Sequence, residues 1–455
     1  MPYGQEKKRG KVGRVVLLVV LAAVGVFLWW ELSSEPPQIR LSREIKGIGR
    51  STPVSFTAMD GRGLRALTVE IEQGGQKIPV LAETYGSRWD LWRSDPKELT
   101  REVVVGTAQQ NQLQDGQAEL RITAWNKSWF SSQAVFSQTL PVRTRPPNLE
   151  VLSGLLYINQ GGSEIVLYRV SSSAVSSGVS VGSYFFTGYP LPGGEASDRL
   201  ALFAFPYDLP ADAPAVIVAQ DEVGNEARAN FPYRVLPKNF RRRDIELTDQ
   251  FLQATVPGIL AQTPELKDQG ELLKNFLMVN GTLRQQNRRK IMEIGKQTVP
   301  EFLWEGSYLQ LSNTAVESQF ADYRSYIYQG KKVDEQVHLG FDLASVQHAP
   351  VMASNAGRVV FAEYLGIFGN TVIIDHGFGL QSLYAHLNAF KVNTGDKVNK
   401  GQVIAESDST GLAGGDHLHF TMLLAGVEVN PIEWWDPLWV QKHILERLAA
   451  VKRTS

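Results

Sequence analysis

Short stretches in which apolar and polar residues alternate, separated by glycine-rich turns, recur along most of this chain. A period of two places every second side chain on one face, which is typical of a half-buried β-strand. In the final third, GRVVFAEY, GNTVIIDHG and QSLYAHL follow one another without the roughly 10 to 15 residues of helix that join parallel strands. The pattern therefore predicts a mainly β protein that ends in an antiparallel β domain.

Length and composition restrict the function classes. A chain of 455 residues is too long for one core and predicts about three or four domains. The formal net charge of −1 lacks the basic excess that nucleic-acid binding needs, so we expect no nucleic-acid partner. Cysteine is absent, which excludes disulfides and thiolate metal sites. Any metal ion must then be held by His, Asp or Glu.

The N-terminus carries a basic cluster followed by the apolar run Val15 to Trp30. This run is either a membrane-spanning helix or a signal peptide. Bulky residues end it and no small-x-small cleavage site follows, which favours an uncleaved anchor. The positive charges predict that the N-terminus stays in the cytoplasm. We therefore expect a single-pass protein of the cytoplasmic (inner) membrane, with the chain after about residue 35 in the periplasm or another extracytoplasmic space.

Changes of periodicity divide the chain. Alternation such as that of Leu67, Val69 and Ile71, broken by glycine-rich turns, is the signature of an antiparallel β-sandwich. The same plan recurs after the proline-rich stretch RTRPPNLEVL, which predicts two immunoglobulin-like modules in tandem. The predicted units are a basic stub and anchor (1–35), β-sandwich modules 1 (36–145) and 2 (146–237), a helical linker (238–301), a C-terminal antiparallel β domain (302–437) and a closing helix (438–455).

The predicted linker has apolar residues at helical spacing, among them Leu273, Phe276 and Leu283. Asn280-Gly281 interrupts this pattern and favours two helices over one. Just before it, three successive arginines (241–243) fit either a contact with a polyanion or a solvated face. In a nearly neutral chain the solvated face is the commoner case.

The seven histidines are concentrated in the C-terminal domain, where HLGFD and GGDHLHF stand out. His417 and His419 are two residues apart, so on a strand both imidazoles project from one face. His338 and Asp342 also face the same way on an extended segment, and Gly340 allows a close backbone approach. A lone histidine on a strand is usually structural, but these motifs together predict a site. His338, Asp342 and His419 are three N and O ligands with a fourth position free, as in catalytic zinc sites.

Two further imidazoles remain for the reacting groups. His417 is adjacent to the predicted metal, and His386 lies in the LYAHL strand. Unliganded imidazoles near a metal can give or take protons.

These motifs resemble those of the lysostaphin-type zinc endopeptidases, which cut peptide bridges in bacterial peptidoglycan. The resemblance covers roughly residues 302 to 437, where HLGFD, LYAHL and GGDHLHF follow in the family's order. It implies one zinc ion per chain, with His338, Asp342 and His419 as ligands and His386 and His417 as the catalytic histidines.

Two positions depart from the family pattern. Asp416 stands where the family usually has Pro, and Thr421 where it usually has an acidic residue. Neither position is a ligand, so these departures bear on substrate fit or rate. His376 is interpreted as structural and His348 as a loop residue.

The leading hypothesis is a membrane-anchored zinc endopeptidase that acts on peptidoglycan cross-links, D-alanyl to diaminopimelyl bonds being favoured over glycine bridges. One alternative is a catalytically inactive relative that activates other wall hydrolases. Another is an adhesive or scaffolding protein in which the β modules carry the main function. Under the leading hypothesis, the β modules are spacers that also contact envelope proteins, and the helical segment covers the groove and restrains the enzyme.

Overall fold

A computed structural model describes residues 9–86, 95–129 and 132–451, in two compact units. One unit comprises Met1–Pro146 with Gln220–Glu226, and the other comprises Pro147–Ala219 with Ala227–Ser455. The division after Pro146 falls in the proline-rich stretch between the two predicted β modules. The domain boundaries themselves stay a prediction.

The first unit begins with a long apolar helix, and the rest of its regular structure is β. The segment Gly13–Leu32 of that helix is long and apolar enough to cross a membrane. The strands form two sheets, with orders β1-β2-β5 and β4-β3-β6-β7. The predicted alternation of Leu67, Val69 and Ile71 is confirmed, because all three are buried between exposed or half-buried neighbours. The elements are α1 Arg9–Leu32, β1 Gln38–Leu41, β2 Thr52–Met59, β3 Leu64–Gln73, β4 Gln76–Thr84, β5 Glu98–Val105, β6 Gly116–Asn126 and β7 Gln133–Val142.

The second unit opens with further short strands in two four-stranded sheets and one parallel pair. Its apolar core continues without a break into the C-terminal β domain. The strands are β8 Leu149–Val151, β9 Leu156–Asn159, β10 Ser163–Val170, β11 Ala174–Val181, β12 Tyr184–Thr187, β13 Tyr189–Pro190, β14 Asp198–Ala204, β15 Ala215–Asp221, β16 Glu226–Asn230 and β17 Tyr233–Leu236.

The helical segment follows, and it begins with a strand that sequence analysis did not predict. This strand pairs in parallel with a strand of the C-terminal domain. Thr248 caps the first helix, because its hydroxyl oxygen accepts the amide of Phe251. Asn280-Gly281 falls in a π-helical turn that joins two α-helices without ending the helix. The elements are β18 Arg242–Leu247, α2 Asp249–Ala261, α3 Leu272–Met278, a π-helix Val279–Leu283 and α4 Arg284–Ile294.

The C-terminal domain is built on a ten-stranded sheet in which the paired strands are antiparallel, as predicted. The main sheet order is β19-β22-β29-β26-β25-β24-β27, and β20 and β21 form a hairpin beside it. The strands are β19 Ala315–Ser318, β20 Asp322–Tyr328, β21 Lys331–His338, β22 Phe341–Ala344, β23 Pro350–Met352, β24 Gly357–Tyr364, β25 Asn370–Gly377, β26 Leu380–Phe390, β27 Lys397–Val398, β28 Val403–Ser407, β29 Leu418–Leu424 and β30 Val427–Val429.

Short helices complete this domain. A 3₁₀ turn, Gly366–Phe368, lies between β24 and β25, and the C-terminal helix contains a π-helical segment, Val440–Leu445. The remaining helices are α5 Pro431–Trp435, α6 Pro437–Trp439 and α7 Glu446–Val451. The molecule is therefore mainly β with an apolar N-terminal helix and a C-terminal antiparallel domain, as the sequence predicts.

Candidate metal centre and active site

Three buried side chains converge where β21, β22 and β29 meet. His338 ends β21, and Asp342 lies directly opposite His419 in the β22–β29 pair. The distance from His338 Nε2 to Asp342 Oδ1 is 2.9 Å, from His338 Nε2 to His419 Nδ1 is 2.9 Å, and from His419 Nδ1 to Asp342 Oδ1 is 3.0 Å. One nitrogen from each ring and one carboxylate oxygen thus face a common point.

Neighbouring groups fix the orientation of these side chains. The Nδ1–H of His338 donates to the carbonyl of Gln319 at 3.0 Å, which turns Nε2 towards Asp342 and His419. Arg324 donates from Nη2 to Asp342 Oδ2 at 2.9 Å, so Oδ1 is the oxygen turned towards the imidazoles. A Cβ at Gly340 would lie 2.6 Å from the His419 ring, so the predicted close backbone approach is present.

This donor set fits a metal ion. His338 Nε2, His419 Nδ1 and Asp342 Oδ1 lie within 3.0 Å of one another, and in the tautomers with His338 Nδ1 and His419 Nε2 protonated they present three lone pairs. Lone pairs at that separation repel unless a proton or a cation lies among them. A zinc ion bound at about 2.0 to 2.2 Å can be shared by two imidazoles and a carboxylate spaced in this way.

His386 and His417 lie next to this cluster with one nitrogen of each ring already engaged. The Nδ1–H of His386 donates to Thr410 O at 2.7 Å, and the Nδ1–H of His417 donates to Gly415 O at 2.8 Å. The two ring centroids are 4.8 Å apart, and His417 Nε2 is 3.5 Å from Asp342 Oδ1. These bonds leave each Nε2 as the nitrogen that can exchange a proton with a substrate.

The backbone of His386 adopts a left-handed conformation, with φ of +57°. Such a conformation costs a non-glycine residue about 1 kcal/mol or more and is held only where the surroundings require it. Here it accompanies the hydrogen bond that orients the ring. The neighbouring backbone is paired as well, because the carbonyl of His386 accepts the amide of Asp408 at 2.8 Å.

Electrostatics differ among these groups. Burial would raise the pKa of Asp342, but the imidazoles of His338, His417 and His419 outweigh it and hold this pKa well below its usual range. Burial lowers the pKa of His419 to about 4 and that of His386 well below its ordinary value. Burial also acts against the charged form of His417, but the hydrogen bond to Asp342 prevails and raises its pKa. The carboxylate is therefore ionised at neutral pH, and His386 and His419 are neutral, as metal ligation and base catalysis require.

The five histidine and aspartate side chains open onto a cavity of about 320 Å³. Phe251 and Phe276 of the helical segment line it, and Phe368 and Leu412 line it from loops of the C-terminal domain. The same aromatic and aliphatic side chains belong to one apolar cluster. The helical segment thus contributes to the cavity that contains the candidate metal centre.

Residues 336–431 match the model of peptidase family M23. The chain carries an M23 peptidase domain. All five predicted site residues lie within these limits.

Two curated relatives and one solved structure illustrate the similarity. The DD-carboxypeptidase/endopeptidase Mpg of Neisseria meningitidis is 42% identical over 97 residues, which are 21% of this chain and 22% of that protein. The peptidoglycan DD-endopeptidase ShyA of Vibrio cholerae is 38% identical over 96 residues, with 21% and 22% covered. The lysostaphin catalytic domain of Staphylococcus simulans is 28% identical, with 29% of this chain and 98% of that one covered and a TM-score of 0.25. The chain thus spans about a fifth of the length of these curated relatives.

Within the M23 domain, the structure separates the site residues from the other histidines. His376 is buried and bonded on both ring nitrogens, to Ala356 O and to the hydroxyl of Ser382, each at 2.7 Å. His348 is exposed and lies in the loop after β22. Both positions agree with their interpretation as structural and loop residues. The roles assigned to the five site residues stay predictions.

His348, Asp408 and Asp416 form a second group of side chains of the types that can bind a metal ion. Asp416 is the residue that stands in place of the family's usual proline. Its carboxylate accepts the amide of His348 at 2.7 Å and the hydroxyl of Ser407 at 2.5 Å. Asp416 therefore ties the His348 loop to the segment that precedes His417.

Two arginines at the site were not predicted. Arg324 lies in β20, and no motif marks it in the sequence. Arg284 was hidden in the charged face of the predicted linker, yet it lines the cavity beside His338 and His419. A charged residue on an amphipathic helix gives no sequence signal of such a role, because its usual place is in solvent.

Proposed function

We propose that this chain is a zinc-dependent endopeptidase that hydrolyses peptide cross-links of bacterial peptidoglycan. The observation that carries the proposal is the convergence of His338, Asp342 and His419 beside the free Nε2 atoms of His386 and His417. The M23 match and relatives named as peptidoglycan DD-endopeptidases support the substrate class.

Zinc is the metal proposed, since two imidazoles and one carboxylate with an open position are a usual catalytic zinc set. When bound, zinc supplies a Lewis acid that activates water near neutral pH and polarises a carbonyl. His386 and His417 would then orient the water through Nε2, take up its proton and deliver a proton to the leaving amine. Their Nδ1–H bonds to carbonyls keep the rings in the tautomer that this requires.

The setting of the enzyme is also proposed. The apolar helix α1 would anchor the chain in the cytoplasmic membrane, with the M23 domain on the outer side where peptidoglycan lies. A tethered enzyme with spacer modules suits a periplasmic wall, so cleavage of D-alanyl to diaminopimelyl cross-links is preferred over glycine bridges. Contacts of the β modules with envelope proteins, and restraint of the enzyme by the helical segment, stay predictions.

The alternative is an inactive relative that activates other wall hydrolases. Asp416 and Thr421, which depart from the usual pattern, are the features that favour it. All five site positions are nevertheless occupied by residues able to perform the reaction.

The test is digestion of isolated peptidoglycan by the full-length chain in detergent, with product masses read by mass spectrometry. We expect wild type to release cross-link fragments whose masses identify the cleaved bond. The His417→Ala variant should bind zinc and release at least about a hundredfold less. If the metal-loaded wild type cleaves no peptidoglycan of either cross-link type, the enzyme hypothesis fails and activation of other hydrolases becomes the leading alternative.

A further inference from the structure

Arg284, the first residue of α4, is a cation without a carboxylate partner at the edge of the metal centre. Its Nε donates to Asn280 O at 3.1 Å and its Nη2 to Asn280 Oδ1 at 2.6 Å. Both acceptors are neutral. Within the described ranges, no Asp or Glu oxygen lies within salt-bridge distance of this guanidinium. Burial lowers the pKa of Arg284, which means that its surroundings disfavour its charge.

The guanidinium faces the same space as the metal ligands. Arg284 lines the 320 Å³ cavity and also an adjoining one of about 230 Å³, and His338, His419 and Phe368 line both. Arg284 is half-buried, and charges shielded from water are usually paired, because an unpaired one is costly. Asp334 also attracts this guanidinium, but the hydrogen bonds connect the two only through the side chain of Asn280. A guanidinium held beside a catalytic cavity without a carboxylate in direct contact is therefore suited to receive an anion from the ligand.

Other charges around the cavity are already balanced or lie at its edges. Arg324 is paired with Asp342, and Arg243 Nη1 lies 3.9 Å from Asp322 Oδ2. Three further acidic residues line the two cavities, and none of them contacts the guanidinium of Arg284 within salt-bridge distance: Glu246, Glu335 and Glu428. Glu246 and Glu335 are exposed, whereas Glu428 is buried and pairs with Arg288 at 3.4 Å.

Helix α4 holds Arg284 in a fixed position. Ile291 and Ile294 pack against apolar residues of the M23 sheet. Asn287 Oδ1 accepts the amide of Ile367 at 3.0 Å, and Gln381 of β26 donates to the carbonyl of Ile294 at 3.2 Å. At the other end, Asn280 is fully buried and donates to Asp334 Oδ2 at 2.7 Å. The helix is thus part of the wall of the site.

We infer that Arg284 forms a carboxylate-binding subsite that selects cross-links bearing a free carboxylate on the carbon that carries the scissile amide nitrogen. A guanidinium binds a carboxylate through paired, charge-assisted hydrogen bonds, which a carboxamide cannot match. A glycine bridge offers no charged group at that position. This inference rests on the proposed function and adds a determinant of substrate choice outside the matched residues 336–431.

The test uses two synthetic cross-link peptides that differ only in a free carboxylate or a primary carboxamide at that carbon. The kcat/KM of the zinc-loaded full-length chain is measured on both for wild type, Arg284→Gln, Arg284→Lys and the control Arg289→Gln. Arg289 is an exposed arginine on the same helix. We expect wild type and the control to prefer the carboxylate peptide by at least about tenfold. Arg284→Gln should cleave the two within about twofold, and Arg284→Lys should keep part of the preference.

Equal cleavage of both peptides by wild type, or an unchanged preference in Arg284→Gln, would overturn the inference without touching the proposed function. The second of these outcomes would assign carboxylate recognition to the metal or to another residue. If wild type cleaves neither peptide, the proposed function fails. Calorimetric binding of the same two peptides then tests the carboxylate-binding subsite. Wild type and Arg289→Gln must bind the carboxylate peptide more tightly, and Arg284→Gln must lose this preference.

Discussion

The M23 domain contains two groups of similar composition, and only one of them is arranged to hold a metal. His338, Asp342 and His419 are buried, and their facing atoms converge. The other group, His348, Asp408 and Asp416, lies at the surface in loops. The same residue types therefore occupy very different environments within one domain.

The difference lies in what occupies the lone pairs. In the second group, both carboxylate oxygens of Asp416 accept hydrogen bonds from the His348 loop and Ser407, and Asp408 Oδ1 accepts the amide of Ser409 at 2.8 Å. In the first group, the outer atoms are bonded and the inner atoms are left facing one another. The residue types alone therefore do not identify a metal site. The hydrogen bonds that orient the side chains decide which group is a candidate metal site.

The largest expected effect separates the two groups directly. Asp342→Asn removes the one anionic side chain of the three proposed ligands, so zinc affinity should fall by at least about a hundredfold. This loss should exceed the loss caused by substituting a residue that only hydrogen-bonds to a ligand. Asp408→Asn should leave zinc affinity unchanged. Both are measured by competition with a chelator of known affinity, and a loss in Asp408→Asn would break the comparison.

A substitution at a catalytic histidine should lower activity without removing the metal ion. His386→Ala keeps the three ligands, so zinc content should be retained while kcat falls by about a hundredfold to ten-thousandfold. His348→Ala is the matched control in the second group and should keep both properties. Metal content and peptide release are measured on the same preparations. Retained activity in His386→Ala would remove this residue from the proposed chemistry.

The supporting hydrogen bond to Asp342 gives a smaller effect. Arg324→Gln loses the charged donor to Oδ2, and zinc affinity should fall by about tenfold to a hundredfold. Arg242 serves as control, because its guanidinium stacks 4.6 Å over the Tyr323 ring and donates to no ligand. If Arg324→Gln and Arg242→Gln bind zinc equally well, Arg324 does not orient the carboxylate.

A buried carboxylate that is hydrogen-bonded by neutral donors and lies near another acidic group, Glu164, should behave in the opposite way to Asp342. Burial raises the pKa of Glu433 to about 7, although Ser163 and Asn159 donate hydrogen bonds to it. The folded state then holds a proton that the unfolded state releases above about pH 4.5. Stability due to Glu433 is complete below pH 4.5 and is lost between about pH 4.5 and 7, by up to about 3 kcal/mol.

Chemical denaturation at pH 5 and pH 8 checks this prediction. Wild type should lose more free energy of unfolding over this interval than Glu433→Gln, which cannot ionise. An identical pH dependence in the two proteins would show that Glu433 titrates normally in the folded state.

The smallest effect is expected at Asp416. Asp416→Ala removes one hydrogen bond from the amide of His348 and one from the hydroxyl of Ser407, at a cost of about 1 to 2 kcal/mol in stability. Zinc content should not change, and kcat/KM should fall less than tenfold. Thermal unfolding and metal analysis measure both. A loss of metal would mean that the second group supports the first one more closely than its hydrogen bonds indicate.

Local patterns in the sequence predict much of the fold. Alternation at Leu67, Val69 and Ile71 and the glycine-separated strands of the M23 domain identify β structure, because side-chain burial repeats every two residues. Strand β18 was missed, since its sequence RRDIEL is highly charged and half-exposed. Its pairing with β20 depends on a partner about 80 residues away.

The candidate site was partly predictable for a similar reason. His338, Asp342, His386, His417 and His419 lie in short motifs whose residue types are unusual on strands. Arg324 and Arg284 have no such marker, because their contacts with Asp342 and with the cavity arise from tertiary packing. Sequence spacing reveals site residues that lie within one short motif, whereas supporting residues from other elements require the structure.

The most direct test of the central claim is the number of zinc ions bound per chain, measured together with peptide release for wild type and His338→Ala. We predict about one zinc ion per wild-type chain, and loss of both the ion and cleavage in the variant. Two ions in wild type, or one ion that persists in His338→Ala, would contradict the assignment of the metal to His338, Asp342 and His419.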